Sequence, residues 1–389
     1  MSERKYEKRG VSASKEEIHK AISTMDKGLY PDAFCKILPD IACGDDRYVN
    51  IMHADTAGTK TALAYIYWRE TGSLDVWQDI VQDAIVMNVD DMACTGVTGK
   101  ILLSSTIGRN KHLIPGEVIS RLIQAPEVFI EKMKEYGIDI YLSGGETADV
   151  GDIVRTIDVG ITAFARLPKE ELIVNNIKDK DVIVGLASYG KAVYEEKYNS
   201  GIGSNGLTSA RHDIFSKIYR EKYPESYAPE TDPAFIYSGK RLLTEKIDTG
   251  EGIMDLGRFV LSPTRTYLPV LKEIFKEHRK NINGIIHCTG GGQTKVMKFV
   301  KNKKVIKDAM FPVPKLFALI QKESQTPWRE MYRVFNMGHR LEIYLPEMYA
   351  NDIISIAKSF NIDAKIIGRV ENYTHNQLII ETPHGKFVY

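Results

Sequence analysis

The sequence predicts two α/β domains in tandem, the second closing on a ferredoxin-like unit. Three observations lead there. The chain has 389 residues, too many for one core and enough for two to three domains at ~150 residues each. Its composition, 43% hydrophobic and 26% charged, is that of a globular protein. Strand-like runs also alternate with helical periodicity in both halves, with a change of character near Pro168.

Taken in order, Tyr48 to Ala54 reads as a strand, with Val49 and Ile51 on one side. It ends at Asp55-Thr-Ala-Gly-Thr-Lys60, and a helix follows from Thr61 to about Thr71. A second helix runs from about Val76 to Cys94, since Val81, Ile85, Val89 and Met92 make one apolar face, and Gly96 stops it. Pro115 to Tyr136 is a third helix. Ile138 to Leu142 is a strand running into a Gly144-Gly145 turn, and Ile157, Val159, Ile161 and Ala163 alternate as in a strand. The domain boundary falls near Arg166–Asn176, giving 1–167 and 168–389. Val182 to Ala187 opens the second domain. The stretch from about Ile218 to Asp255, polar and carrying Pro224, Pro229 and Pro233, reads as an insertion. The last part gives strand, helix (Met348–Phe360), strand (Ala364–Val370) and strand (Gln377–Glu381), half of a ferredoxin-like sandwich.

Charge excludes several classes. Lys and Arg number 52 against 51 Asp and Glu, net +1, so no basic excess drives nucleic-acid binding. Apolar runs such as Ile183–Ala187 fall far short of the ~20 residues of a membrane span. The start lacks an apolar leader. Cys35, Cys43, Cys94 and Cys288 are scattered, with no C-x-x-C pair. They suit reduced thiols in a cytoplasmic protein.

Acidic residues sit at predicted element ends: Asp55 before a glycine loop and Lys60, Asp90-Asp91 near the end of the second helix, and Glu146 after Gly144-Gly145. Carboxylates on separate elements can converge, and hard oxygens suit Mg²⁺ bridging to phosphates. Gly58, Gly144 and Gly145 would let backbone approach those phosphates, and Lys60 would add charge. No Walker P-loop occurs. In the second domain Gly201-Ile-Gly-Ser-Asn-Gly206 precedes a helix start at Leu207, and three glycines follow His287-Cys-Thr. Arg265 and Arg333 are two arginines suited to phosphate.

Together these segments resemble the aminoimidazole ribonucleotide synthetase family, the phosphoribosylformylglycinamidine cyclo-ligases. Tyr6-Glu-Lys-Arg-Gly-Val11 is similar to Y-x-x-x-G-V, Asp55–Lys60 to D-G-V-G-T-K, Val89-Asp-Asp-Met92 to V-N-D-L, and Gly144-Gly-Glu-Thr-Ala148 to G-G-E-T-A. Ser204-Asn-Gly206 is similar to the end of H-S-N-G, and Leu261-Ser-Pro-Thr-Arg-Thr-Tyr267 to L-x-P-T-R-x-Y. His287-Cys-Thr-Gly-Gly-Gly292 is similar to H-x-T-G-G-G, and Glu330-Met-Tyr-Arg-Val-Phe-Asn336 to E-M-Y-R-x-F-N. Three positions depart: Gly203 stands where the family has histidine, Thr56 where it has glycine, and Asp90 where it has asparagine.

The resemblance implies ATP-dependent closure of the imidazole ring of formylglycinamidine ribonucleotide, with Mg²⁺. It also implies a homodimer whose N-terminal domains build a barrel across the interface. It assigns metal to Asp55, Asp90, Asp91 and Glu146. Nucleotide goes to Asp55, Gly58, Thr59, Lys60, Gly144, Gly145, Glu146, Asn205 and Gly206. Substrate goes to Arg265, His287, Gly290, Gly291 and Gly292, Arg265 either holding the substrate phosphate or ordering the cleft. Catalysis goes to His287, Lys60 and Asp91, with His287 as general base or acid. The alternatives are another ATPase of the wider superfamily, or a nucleotide-binding regulator that has lost activity.

Overall fold

A computed structural model describes residues 8–11 and 20–389; Tyr6 and Glu7 of the first motif lie outside them. Residues 37–168 carry a five-stranded sheet of β1 (Ile37–Pro39), β2 (Tyr48–Thr56), β3 (Ile101–Arg109), β4 (Ile140–Asp149) and β5 (Ile157–Pro168). Its order is β1-β2-β5-β3-β4, with only β3 and β4 parallel. Helices α1 (Lys60–Thr71), α2 (Asp75–Ala93) and α3 (Gly116–Glu135) belong to the same half, and α2 packs on β2 and β5.

Val49, Ile51, Ile101, Leu103, Val159, Ile161 and Ala163 alternate onto the buried face. The other face stays open. Met52, Phe164, Leu102 and Tyr141 lie in one cross-strand row, and Met52, Leu102 and Tyr141 are 60%, 44% and 56% exposed.

Two sequence expectations change here. Ile101–Arg109, not picked out from the sequence, is the strand between β5 and β4, antiparallel to the first and parallel to the second. The Gly144-Gly145 turn is not a turn: β4 runs straight through it, with a register shift opposite Leu103 to Ser105. Gly144 takes φ +95°, and a Cβ on Gly145 would lie 2.2 Å from the Ser105 carbonyl oxygen. The two glycines are therefore an irregularity that keeps the strand paired.

The second half follows α4 (Leu207–Ile214), α5 (Ile218–Lys222), the hairpin β7 (Lys246–Asp248) and β8 (Ile253–Asp255), α6 (Leu256–Val260), α7 (Leu268–His278), α8 (Lys315–Ser324), α9 (Trp328–Val334) and α10 (Ala350–Ser359). Its sheet has the order β14-β13-β10-β12-β6-β11-β9. The strands are β6 (Asp181–Ala187), β9 (Gly284–His287), β10 (Lys303–Lys307), β11 (His339–Pro346), β12 (Ala364–Asn372), β13 (Gln377–Thr382) and β14 (Gly385–Val388). Within it β12-β6-β11-β9 is antiparallel, with α7 between β6 and β9 in the chain and α10 between β11 and β12. That is a full ferredoxin-like unit. The 218–255 stretch binds α1: Lys222 and Tyr223 meet Glu70, and the Tyr65 hydroxyl donates to Glu225 at 2.6 Å.

Candidate active site

Helix α2 brings the two halves together. Its buried face places carboxylates at Asp83 and Asp90, two helical turns apart, in a stripe that otherwise carries Val76, Ile80 and Met87. The segment Leu261–Tyr267 lies along this face. Thr264 gives Asp83 its amide (2.8 Å) and its hydroxyl (2.5 Å). Thr266 donates its hydroxyl to Asp90 at 2.6 Å, and the Tyr267 amide adds 3.1 Å.

These contacts correct two sequence assignments. Asp90 is fully buried with both oxygens turned into the second half, so it offers nothing to a metal; burial also pushes its carboxyl up. Lys60 does not face phosphate. Its ammonium is fully buried and donates to Asp83 (2.8 Å), the Ser262 carbonyl (2.6 Å) and the Gly203 carbonyl (3.2 Å). Burial pulls Lys60 down, against the attraction of Asp83. Three bonds to one ammonium exhaust its donors, and they pin the Gly201–Gly206 loop to α1.

Asp91 keeps an edge open, with a side chain 13% exposed. One oxygen meets His287 Nδ1 at 2.6 Å, the other His53 Nε2 at 3.4 Å. Burial would raise this carboxyl, but the hydrogen bond from His287 outweighs it and holds Asp91 below the usual range. His53 Nδ1 in turn meets the Asn88 amide oxygen at 2.9 Å. His287 is itself completely buried, and its Nε2 accepts from Arg340 Nε at 3.1 Å. With Nδ1–H given to Asp91 and the Nε2 lone pair engaged, the ring has no free atom for acid–base work. His287 is therefore a positioning residue between Asp91 and Arg340, a correction to its assignment as general base or acid.

The glycine loops form a second packed block. A Cβ on Gly206 would meet the Phe335 ring at 2.3 Å, and one on Gly292 the Phe335 carbonyl oxygen at 2.6 Å. Asn336 donates to the Gly201 carbonyl (2.7 Å) and accepts from Ser188 (2.9 Å) and the Gly338 amide (3.0 Å). Asn205 is partly exposed, while Gly290 takes φ +56° with open space where a Cβ would go. Arg265, fully buried, spends its guanidinium on both oxygens of Glu195 and on the Ala187 and Tyr189 carbonyls. It orders the cleft and holds no substrate phosphate. Arg333 lies 3.9 Å from Glu330 one turn earlier.

Asp55 and Glu146 lie elsewhere. Both are exposed at one end of the first sheet, with Gly58 and Thr59 beside Asp55. The Thr59 hydroxyl meets that of Thr208 at 2.7 Å, across the halves. Thr56 pairs with Gly160, Gly160 with Thr106, and Thr106 with Glu146. Three strand steps of ~4.8 Å separate the two carboxylates' strands, roughly 14 Å. The expected convergence of Asp55, Asp90, Asp91 and Glu146 is therefore not made within one chain. Among the described residues, the group with metal-ligand spacing is Cys288, His339 and Glu342. It is sealed in the second sheet, where the Lys307 ammonium already meets Glu342.

Sequence reasoning missed Asp83, His53, Glu195 and Arg340. Only Asp83 had a signal, a carboxylate on an apolar helical stripe seven residues before Asp90.

The family model for the AIR synthase related protein N-terminal domain matches residues 39–167, and that for the C-terminal domain matches residues 178–381. A phosphoribosylformylglycinamidine cyclo-ligase of Methanocaldococcus jannaschii is 30% identical over 83% of this chain and 78% of its own. In fold, a crystal structure of a HypE–HypF complex is similar at TM-score 0.56, 14% identity, over 96% of this chain and 98% of that one. A Thermotoga maritima phosphoribosylformylglycinamidine synthase II is similar at TM-score 0.50 and 12% identity; the match covers 89% of this chain and 44% of that one, under half its length. Among the described residues no helix is long and apolar enough to cross a membrane.

Proposed function

The chain belongs to the AIR synthase related family, and on that premise we propose that it closes the imidazole ring of formylglycinamidine ribonucleotide with ATP. The products are aminoimidazole ribonucleotide, ADP and phosphate. The observation that carries this reading is the match of both family domains along the chain, reinforced by the identity to the archaeal cyclo-ligase.

An amide oxygen is a poor leaving group. In the proposed reaction the formyl oxygen attacks the γ-phosphorus and the bond to ADP breaks. The amidine nitrogen then attacks the formyl carbon, a proton leaves nitrogen, and the C–O bond breaks to release phosphate. Both nitrogens belong to one substrate, so holding it in a near-attack pose supplies much of the rate. The open backbone at Gly290 and the partly exposed Asn205 are suited to line that cleft. Asp91, kept ionised by His287, and the exposed Asp55 and Glu146 are the carboxylates left for metal and nucleotide. Hard oxygens fit Mg²⁺, which would neutralise charge on the transferring phosphoryl group.

Asp55 and Glu146 fit one site only if a second copy brings its own Glu146 to Asp55. The open row of Met52, Phe164, Leu102 and Tyr141 and the edge of β4, unpaired among the described residues, favour a homodimer built on that face. The free thiols Cys35, Cys94 and Cys288 are buried and Cys43 exposed, in keeping with a reducing cytoplasm.

The test uses formylglycinamidine ribonucleotide labelled with ¹⁸O at the formyl oxygen. The label is expected in the released phosphate. Phosphate released without label contradicts the ring-closure chemistry.

A further inference from the structure

Lys295 stands in the turn Gly292–Lys298, which begins with the last of the three glycines after His287-Cys-Thr. A Cβ on Gly291 would lie 3.7 Å from Lys295 Cα, so the glycine loop folds back against the lysine. The residue is half-buried, and its ammonium has no hydrogen bond or carboxylate partner among the described residues. It lies 5.2 Å from the centroid of the Phe34 ring. That contact holds an ammonium in place and leaves its donors free.

The charge of Lys295 reaches the open edge of the cleft. Burial raises the Asp91 carboxyl and the His287 hydrogen bond lowers it; Lys295 adds to the lowering. The Cys35 thiol, next to Phe34, is raised by burial and by Asp91 and drawn down by Lys295. Carboxylate and ammonium therefore flank one place. Gly290 is exposed, with open space where a Cβ would go, and neither its amide nor that of Gly291 has a partner among the described residues. The cations that the motifs offer are spent nearby, Lys60 on Asp83 and two carbonyls and Arg265 on Glu195. An ammonium with free donors beside bare glycine amides is suited to an anionic oxygen.

We propose that Lys295 contacts a phosphoryl oxygen lying over the Gly290–Gly291 backbone, the role that the buried Lys60 cannot fill. The oxygen belongs either to ATP or to the phosphate of formylglycinamidine ribonucleotide. Naming these two sources rests on the ring-closure reading; the phosphoryl contact itself does not.

The test acetylates full-length wild type with limiting acetic anhydride and reads each lysine by mass spectrometry. ATP, formylglycinamidine ribonucleotide and inorganic phosphate are added in turn. Lys295 should be shielded, while Lys301, exposed and paired with Asp32 at 3.1 Å, reacts at one rate throughout. Shielding by ATP alone assigns the oxygen to the nucleotide, and shielding by the ribonucleotide alone assigns it to the substrate. Shielding by inorganic phosphate alone supports the contact and overturns both sources. No shielding by any of the three overturns the proposal. Calorimetric titration then separates contact from a remote closure of the loop. Lys295→Met should bind the shielding compound about 10- to 100-fold more weakly, the loss of one charge-assisted hydrogen bond. Lys295→Arg should recover part of that affinity, and Lys301→Met should bind as wild type does. Unchanged affinity in Lys295→Met overturns the proposal, as does an equal loss in Lys301→Met. If Lys295→Met fails to fold, the acetylation of wild type decides. Absence of turnover in wild type overturns the ring-closure reading, and the shielding, which needs no turnover, still judges the contact.

Discussion

The open end of the first sheet and the buried seam along α2 carry similar residues in opposite circumstances. At the sheet end, Asp55 and Glu146 face solvent with three strand steps between them. In the seam, Lys60, Asp83, Asp90, His287, Arg265 and Arg340 are buried, most with partners already made. A charged residue in a family motif is therefore of two kinds. Some hold the cleft together, and others are left free to meet a ligand. Asp91 is the hinge between the groups, tied by His287 and still open at one edge.

The comparison can be broken most severely at Lys60. Lys60→Met leaves Asp83 as an unpaired buried charge and should cost ~3–5 kcal/mol in urea unfolding. Lys60→Met combined with Asp83→Leu should recover much of it. A Lys60 variant of normal stability and lost ATP affinity would return that residue to the ligand group.

Asp90→Ala strands the Thr266 hydroxyl and the Tyr267 amide, and should cost ~1–3 kcal/mol. If Asp90 were instead a metal ligand, stability would hold and the Mg²⁺ requirement would change.

A third test uses acid. Glu342 is fully buried, and burial alone would raise it. Lys307 and His339 outweigh that and bring it down to about 2. Its folded value lies below the unfolded ~4.3, so its stabilisation is complete above ~4.3 and is lost as pH falls toward 2. Urea midpoints should decline over that window, and Glu342→Gln should flatten the decline. An equally steep decline in the variant assigns the acid sensitivity to other carboxylates.

The smallest stability effects belong to the sheet end. Asp55→Asn and Glu146→Gln should each shift stability by less than ~0.5 kcal/mol while abolishing ADP release. Mixing the two inactive proteins, after dissociation and reassembly, should restore part of the activity if the site is shared between copies. No recovery would place both residues in one chain's site.

Much of the architecture was legible. Alternation in β2 and β5, the apolar stripe of α2 and the strand–helix–strand run after Leu341 are local patterns, and they survive into the structure. Ile101–Arg109 was not legible, because its Ser104-Ser105-Thr106 centre dilutes the apolar alternation. Gly144-Gly145 read as a turn because glycines punctuate turns, whereas here they let β4 pass Ser105. The site was legible as a set of motifs and not as a set of roles. Asp90 and Arg265 look like ligand groups until their partners are known, and those partners, Thr266 and Glu195, lie 176 and 70 residues away. Arg340 carries no motif in the sequence.

ADP release from ATP, measured with and without formylglycinamidine ribonucleotide, tests the central claim most directly. The account predicts release that depends on that substrate and is abolished by Asp91→Asn. Release indifferent to the substrate, or undiminished in Asp91→Asn, would contradict it.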